Sequence, residues 1–96
     1  MVFTKKASIV TIYTKSPALQ EQVVDGETVV LDMESGLIHQ LNPTASEIWH
    51  CLDGTRKIEA IAEHIANMYG VDPELVLADV SNALEEMRKN RLIQPI

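Results

Sequence analysis

Residues 37–54 read Leu37-Ile-His-Gln-Leu-Asn-Pro-Thr-Ala-Ser-Glu-Ile-Trp-His-Cys-Leu-Asp-Gly54, and within this one stretch the chain changes from strand to helix periodicity. Leu37, His39 and Leu41 share one side of an extended segment, a period of two. After Asn42 the spacing becomes helical and puts Ala45, Ile48, Trp49 and Leu52 on one buried face. Asn42 suits the N-cap, Pro43 the first helical position, and Asp53-Gly54 a stop, so a helix is predicted from about Pro43 to Leu52. The stretch carries no catalytic device. A strand running straight into a capped helix that holds the only Trp is a junction of fixed geometry, and function must be sought in that geometry.

Working outward, Glu21-Gln-Val-Val24, the turn signal Asp25-Gly26, Thr28 to Met33, a second turn at Glu34-Ser35-Gly36 and then Leu37 to Leu41 make a three-stranded antiparallel meander. Further upstream, Ser8 to Tyr13 has strong β character and is closed by Ser16-Pro17, an edge strand or an arm. Downstream, a second helix is expected from about Ile58 to Tyr69, burying Ile58, Ile61, Ala62, Ile65, Ala66 and Met68 or Tyr69, with Gly70 at a left-handed cap. Asp72-Pro73 opens a third helix that runs to about Asn90, with Val76, Val80, Ala83, Leu84 and Met87 at helical spacing. Leu92 and Ile93 then return to the core. Three strands followed by three helices is a small α+β domain with the pattern of a winged helix. Residues 1–20 read as an N-terminal arm or extra strand, and residues 21–96 as the domain. One sheet edge should lie beside a helix, and its unpaired N–H and C=O groups make it a candidate binding site.

The 96 residues suffice for one small core, being 46% hydrophobic. No apolar run approaches the roughly 20 residues that span a bilayer, and the N-terminus lacks the apolar segment of a signal peptide, so a cytoplasmic location is expected. Cys51 stands alone, which excludes an internal disulfide and a multi-cysteine metal site. The net charge of −6 disfavours nucleic acid as the main partner. Charge is uneven, however. Lys5, Lys6 and Lys15 precede the first acid, all fourteen acids lie between residues 21 and 86 with only Arg56 and Lys57 among them, and Arg88, Lys89 and Arg91 close the chain. Cations in the last turn of a helix complement its dipole, the ordinary reading of that trio; a contact surface for an acidic peptide is the other.

Chemistry is sparse. His39, His50 and His64 fall on a strand and two different helices, without the spacing of a metal-ligand pair. The glycines are isolated, each where a turn or cap is wanted, so no phosphate loop exists. Glu85-Glu86 and Asp72 with Glu74 read as solvated acids. Neither an enzyme nor a cofactor or metal site is expected.

The stretch from His39 to Gly54, with Ile58-Glu-Ala-Ile-Ala62, Tyr69-Gly-Val-Asp72, Asp79-Val80 and Leu92-Ile93, resembles the PqqD family over roughly residues 23–93. That family includes coenzyme PQQ synthesis protein D and the recognition elements of ribosomally made, post-translationally modified peptides. Lys57 stands where the family often has Thr or Ser before the second helix, and the N-terminal arm has no clear counterpart. The resemblance implies a non-catalytic winged-helix module that binds the leader segment of a precursor peptide and presents it to a modifying enzyme, commonly a radical SAM protein. It implies strand addition to the third strand, Gly36, Leu37, Ile38, His39, Gln40 and Leu41, against a third-helix wall drawing on Val76, Asp79, Val80, Ala83, Met87 and Asn90. Arg88 and Lys89 are placed at the rim for acidic leader residues.

Two rival readings share the architecture. A winged-helix DNA-binding regulator would carry basic and amide side chains on its recognition helix, whereas here the second helix offers Glu59, Glu63 and Asn67 and the third Glu74, Glu85 and Glu86. A structural or homodimer-forming module would use the same open edge to pair with its own copy.

Overall fold

A computed structural model of the chain describes residues 11–96. In order they form β1 (Tyr13–Lys15), β2 (Leu19–Val24), β3 (Glu27–Asp32), β4 (Ile38–Leu41), α1 (Pro43–His50), α2 (Ile58–Tyr69), α3 (Pro73–Lys89) and β5 (Ile93–Pro95). The three-stranded antiparallel sheet has the order β2-β3-β4, and the three helices follow it, the expected α+β arrangement. Its first hairpin closes through Asp25 and Gly26 at φ 52 and 79, the paired positive angles of a type I′ turn that Asp-Gly favours.

Register fixes the two faces. Thr28 lies opposite Leu41 and Val30 opposite His39 on the face toward the helices, while Val29 meets Gln40 and Leu31 meets Ile38 on the outer face. The core holds Val30 and Leu41 from the sheet, Ile48 and Trp49 from α1, Ile58, Ile61, Ala62 and Ile65 from α2, and Val80, Leu84 and Met87 from α3. Helices α2 and α3 thus begin where expected, at Ile58 and Pro73, and the Asn42 side chain accepts from Ala45 N–H at 2.8 Å to cap α1. Lys57 precedes α2 without a side-chain cap bond.

Three expectations need adjustment. Helix α1 stops at His50: the Cys51 N–H is shared between the Glu47 and Ile48 carbonyls, the Leu52 N–H tightens onto Trp49 C=O, and Leu52 reaches the core from this turn. Met68 and Tyr69 are about half exposed, since α2 needs only its Ile/Ala stripe to meet α3. Of the strand anticipated at Ser8 to Tyr13, Ser8–Val10 lie outside the described residues, and the pairing observed runs from Tyr13 to Lys15. There β1 takes Ile93–Pro95 as its antiparallel partner, in a second, two-stranded sheet. Tyr13 is buried, and burial raises its phenol above the usual range.

Side-chain bonds tie the sheet to α1. The Ser46 hydroxyl accepts from Thr28 N–H at 2.8 Å and donates to Leu41 C=O at 3.1 Å, so it bridges facing residues of β3 and β4. Fully buried Trp49 donates its indole N–H to Glu21 of β2 at 2.8 Å, and the Lys15 ammonium reaches the same carboxylate while lying 4.7 Å over the indole ring. An indole N–H without a partner would be costly here, so one acid satisfies it and fastens three elements together.

Candidate functional site: an open sheet edge facing α3

Strands β2 and β4 are the two edges of the sheet. In an antiparallel ladder, residues alternate between exchanging both backbone bonds with the facing residue and pointing them away. Asp32 N–H donates to Leu37 C=O at 2.9 Å, so this pair is of the bonded kind. Stepping by two along the register puts Val30–His39 and Thr28–Leu41 at positions of the same kind, the latter bridged by the Ser46 hydroxyl. Ile38 and Gln40 therefore direct their N–H and C=O groups away from β3, toward the open edge. His39 and Leu41 point theirs toward β3, where the Leu41 C=O takes the Ser46 hydroxyl.

Beside this edge lies a cavity of about 470 Å³. One wall is Ile38 to Leu41 with Asn42 and Ala45; the other is Ala83, Glu86, Met87 and Asn90 of α3, with Leu92 beyond. The α3 residues are spaced by three, one and three, a single helical stripe across its last two turns. Only these turns approach the edge, because α3 is far longer than the four-residue β4.

Of the residues expected from sequence, Ile38, His39, Gln40, Leu41, Ala83, Met87 and Asn90 come together around this cavity. Gly36 and Leu37 do not line it. Leu37 is 59% exposed before β4 begins and borders a neighbouring cavity. Val76, Asp79 and Val80 also lie outside the lining; Val80 is fully buried, and Val76 packs against the core. Helical spacing alone does not say which turns of a long helix face a short strand. Ala45, Glu86 and Leu92 were not read as lining residues. Glu86 looked like one of two solvated acids, and only its i+4 relation to Asn90 points to the cavity.

The neighbouring cavity, about 630 Å³, shares His39 and Asn90 and continues the furrow past the start of β4. Lys89 lines it from the last residue of α3, Arg91 from the turn after it, Asp32 from the end of β3 and Glu34 from the β3–β4 turn. Asp32 accepts from Glu34 and Ser35 N–H at 2.9 and 3.3 Å, and these bonds hold its carboxyl below the usual carboxylate range. Arg88 is occupied by Glu85 on its own helix. Between the two cavities sits His39, whose Nε2 is buried and has no hydrogen-bond partner, the one such side-chain atom among the described residues. Among those residues, no three His, Cys, Asp or Glu side chains gather as a metal site, and no helix is long and apolar enough to cross a membrane.

No curated protein matches the chain. Among solved structures it is similar to TbiB1 in complex with the TbiA(beta) leader peptide, at 27% identity over 84% of this chain and 94% of that one, with a TM-score of 0.76. Lasso peptide synthetase B1 complexed with its leader peptide shares the fold at 24% identity, covering 86% and 98% of the two chains with a TM-score of 0.76. So does the PqqD truncation of Methylobacterium extorquens PqqCD, a stand-alone recognition element, at 19% identity over 92% and 94% with a TM-score of 0.77. The sequence profile of coenzyme PQQ synthesis protein D matches residues 27–93, from the first residue of β3 to the first of β5. That span holds the open edge, all three helices and the furrow between them, and the chain belongs to the PqqD family.

Proposed function

We propose that this protein is a non-catalytic peptide-binding module that captures the leader segment of a precursor peptide by strand addition to β4 and presents it to a modifying enzyme. The observation that carries the reading is the open edge itself: Ile38 and Gln40 direct backbone donors and acceptors away from β3, beside a cavity walled by α3. A guest strand would satisfy those groups while its alternate side chains enter the cavity against Ala83, Met87 and Leu92. The leader-bound TbiB1 structure supports it as the solved relative of highest identity among the three compared. The enzyme that receives the peptide, a radical SAM protein or another peptide-modifying enzyme, would work with this module in the cytoplasm. Residues 21–96 would bind the peptide, and β1 would brace the end of α3 from the preceding segment.

A titration with a synthetic leader from a candidate precursor peptide tests this by amide chemical shifts. Shifts concentrated at Ile38 to Leu41 and at Ala83 to Asn90 are expected. Shifts confined to other surfaces, or a mass that doubles with concentration while the leader leaves β4 unmoved, would reject it in favour of another surface or of self-pairing.

A further inference from the structure

Helices α2 and α3 end in the same turn with different residues. After α2, Val71 N–H reaches back to Ala66 C=O at 3.0 Å, and Gly70 between them sits at φ 67. After α3, Leu92 N–H reaches Met87 C=O at 2.9 Å, Arg91 N–H reaches Arg88 C=O at 3.0 Å, and the left-handed position, φ 60, is filled by Arg91. This six-to-one turn strongly favours glycine there, because a side chain is costly in that conformation. The chain uses glycine where the turn faces open space and arginine where it lies between the furrow and a second cavity beside Tyr13 and Ile93.

Arg91 and Lys89 pair with no carboxylate among the described residues, although the other cations near the sheet and α3 do: Lys15 with Glu21 and Arg88 with Glu85. Asp32 and Glu34 face them across the cavity without forming an ion pair, and Asp32 is already held by its own turn. Two uncommitted cations share one wall, in a chain of net charge −6, while the two acids opposite them leave the cavity lining formally neutral. We infer that the furrow beyond β4 takes an acidic side chain of the bound peptide on Arg91 and Lys89, so that the occupant is a leader with Asp or Glu just outside its strand-forming segment.

This inference rests on the peptide-binding reading, and its test separates the two. The probes are a synthetic acid-containing leader from a candidate precursor peptide and the same leader with every Asp and Glu changed to Asn and Gln. Arg91→Gly should melt about 4 °C above the wild type, because it relieves the turn, yet bind the native leader about three- to five-fold more weakly. Against the amide leader, wild type and Arg91→Gly should bind alike. Arg56→Gln, which removes a cation distant from the furrow, controls for net charge and should leave the native leader's affinity within two-fold. Unchanged affinity in Arg91→Gly, a loss that persists with the amide leader, or an equal loss in Arg56→Gln would overturn the inference while leaving strand addition standing. A lower melting midpoint in Arg91→Gly would make Arg91 a structural residue and overturn it too. A leader that does not bind the wild type overturns both readings.

Discussion

A proline scan along β4 should alternate between two phenotypes, because the register separates its backbone groups by parity. Ile38 and Gln40 face outward, so Ile38→Pro removes a donor that the sheet does not use. The fold should melt within a few degrees of the wild type. The guest strand, however, loses one backbone bond, worth a net 0.5–1.5 kcal/mol, or about two- to twelve-fold in Kd. His39→Pro is the opposite case. It deletes a bond to Val30, a fully buried residue, and drives the ring into a packed ladder. A buried Val30 carbonyl left unpaired costs about 1–3 kcal/mol, a fall of roughly 4–24 °C for a domain of this size. Thermal melts followed by calorimetric titration with the leader would separate these outcomes. A folded His39→Pro together with a collapsed Ile38→Pro would show that the bonded pairs are assigned to the wrong parity. Unchanged leader affinity in a folded Ile38→Pro would refute strand addition at this edge.

Two further perturbations probe the support beneath that edge. Ser46→Ala removes the hydroxyl that serves both Thr28 N–H and Leu41 C=O in a buried position, and should cost about 1–3 kcal/mol, read as a melting midpoint lowered by at least about 4 °C. An unchanged midpoint would mean the strands close this rung without it. Burial holds the Cys51 thiol above its ordinary range, so alkylation at pH 8.5 should be much slower in the native protein than in urea; because the folded value is raised, the associated stability is present at neutral pH and is lost as pH rises through that value. Equal native and unfolded alkylation rates would contradict the packing around α1.

Much of this fold is local chemistry written along the chain. Asp25-Gly26 codes a turn that only residues tolerant of positive φ adopt, and Asn42-Pro43 and Asp72-Pro73 start helices through bonds no more than three residues long. The Ile58, Ile61, Ala62 and Ile65 stripe declares its buried face by spacing alone. The β1–β5 pairing was not legible, since three-residue strands carry little periodicity and join opposite ends of the chain. Nor was the indole bond to Glu21, across 28 residues, or the Ser46 bridge. A serine in a helix and a glutamate in a strand look like surface residues until something folds over them.

For the site, sequence determined the candidate edge and the helix opposite it, because strand order in a short-turn meander and helical period follow from nearest-neighbour rules. Tertiary structure decided the rest. It set the last two turns of α3 beside β4, rather than the turns that carry Val76, Asp79 and Val80, because where a helix crosses a strand is set by packing between distant segments. It settled which β4 residues keep their backbone groups free, because parity is fixed by a bond between Asp32 and Leu37 across the turn. It also placed Arg91 in a left-handed turn over the furrow, a conformation that an arginine in sequence does not announce.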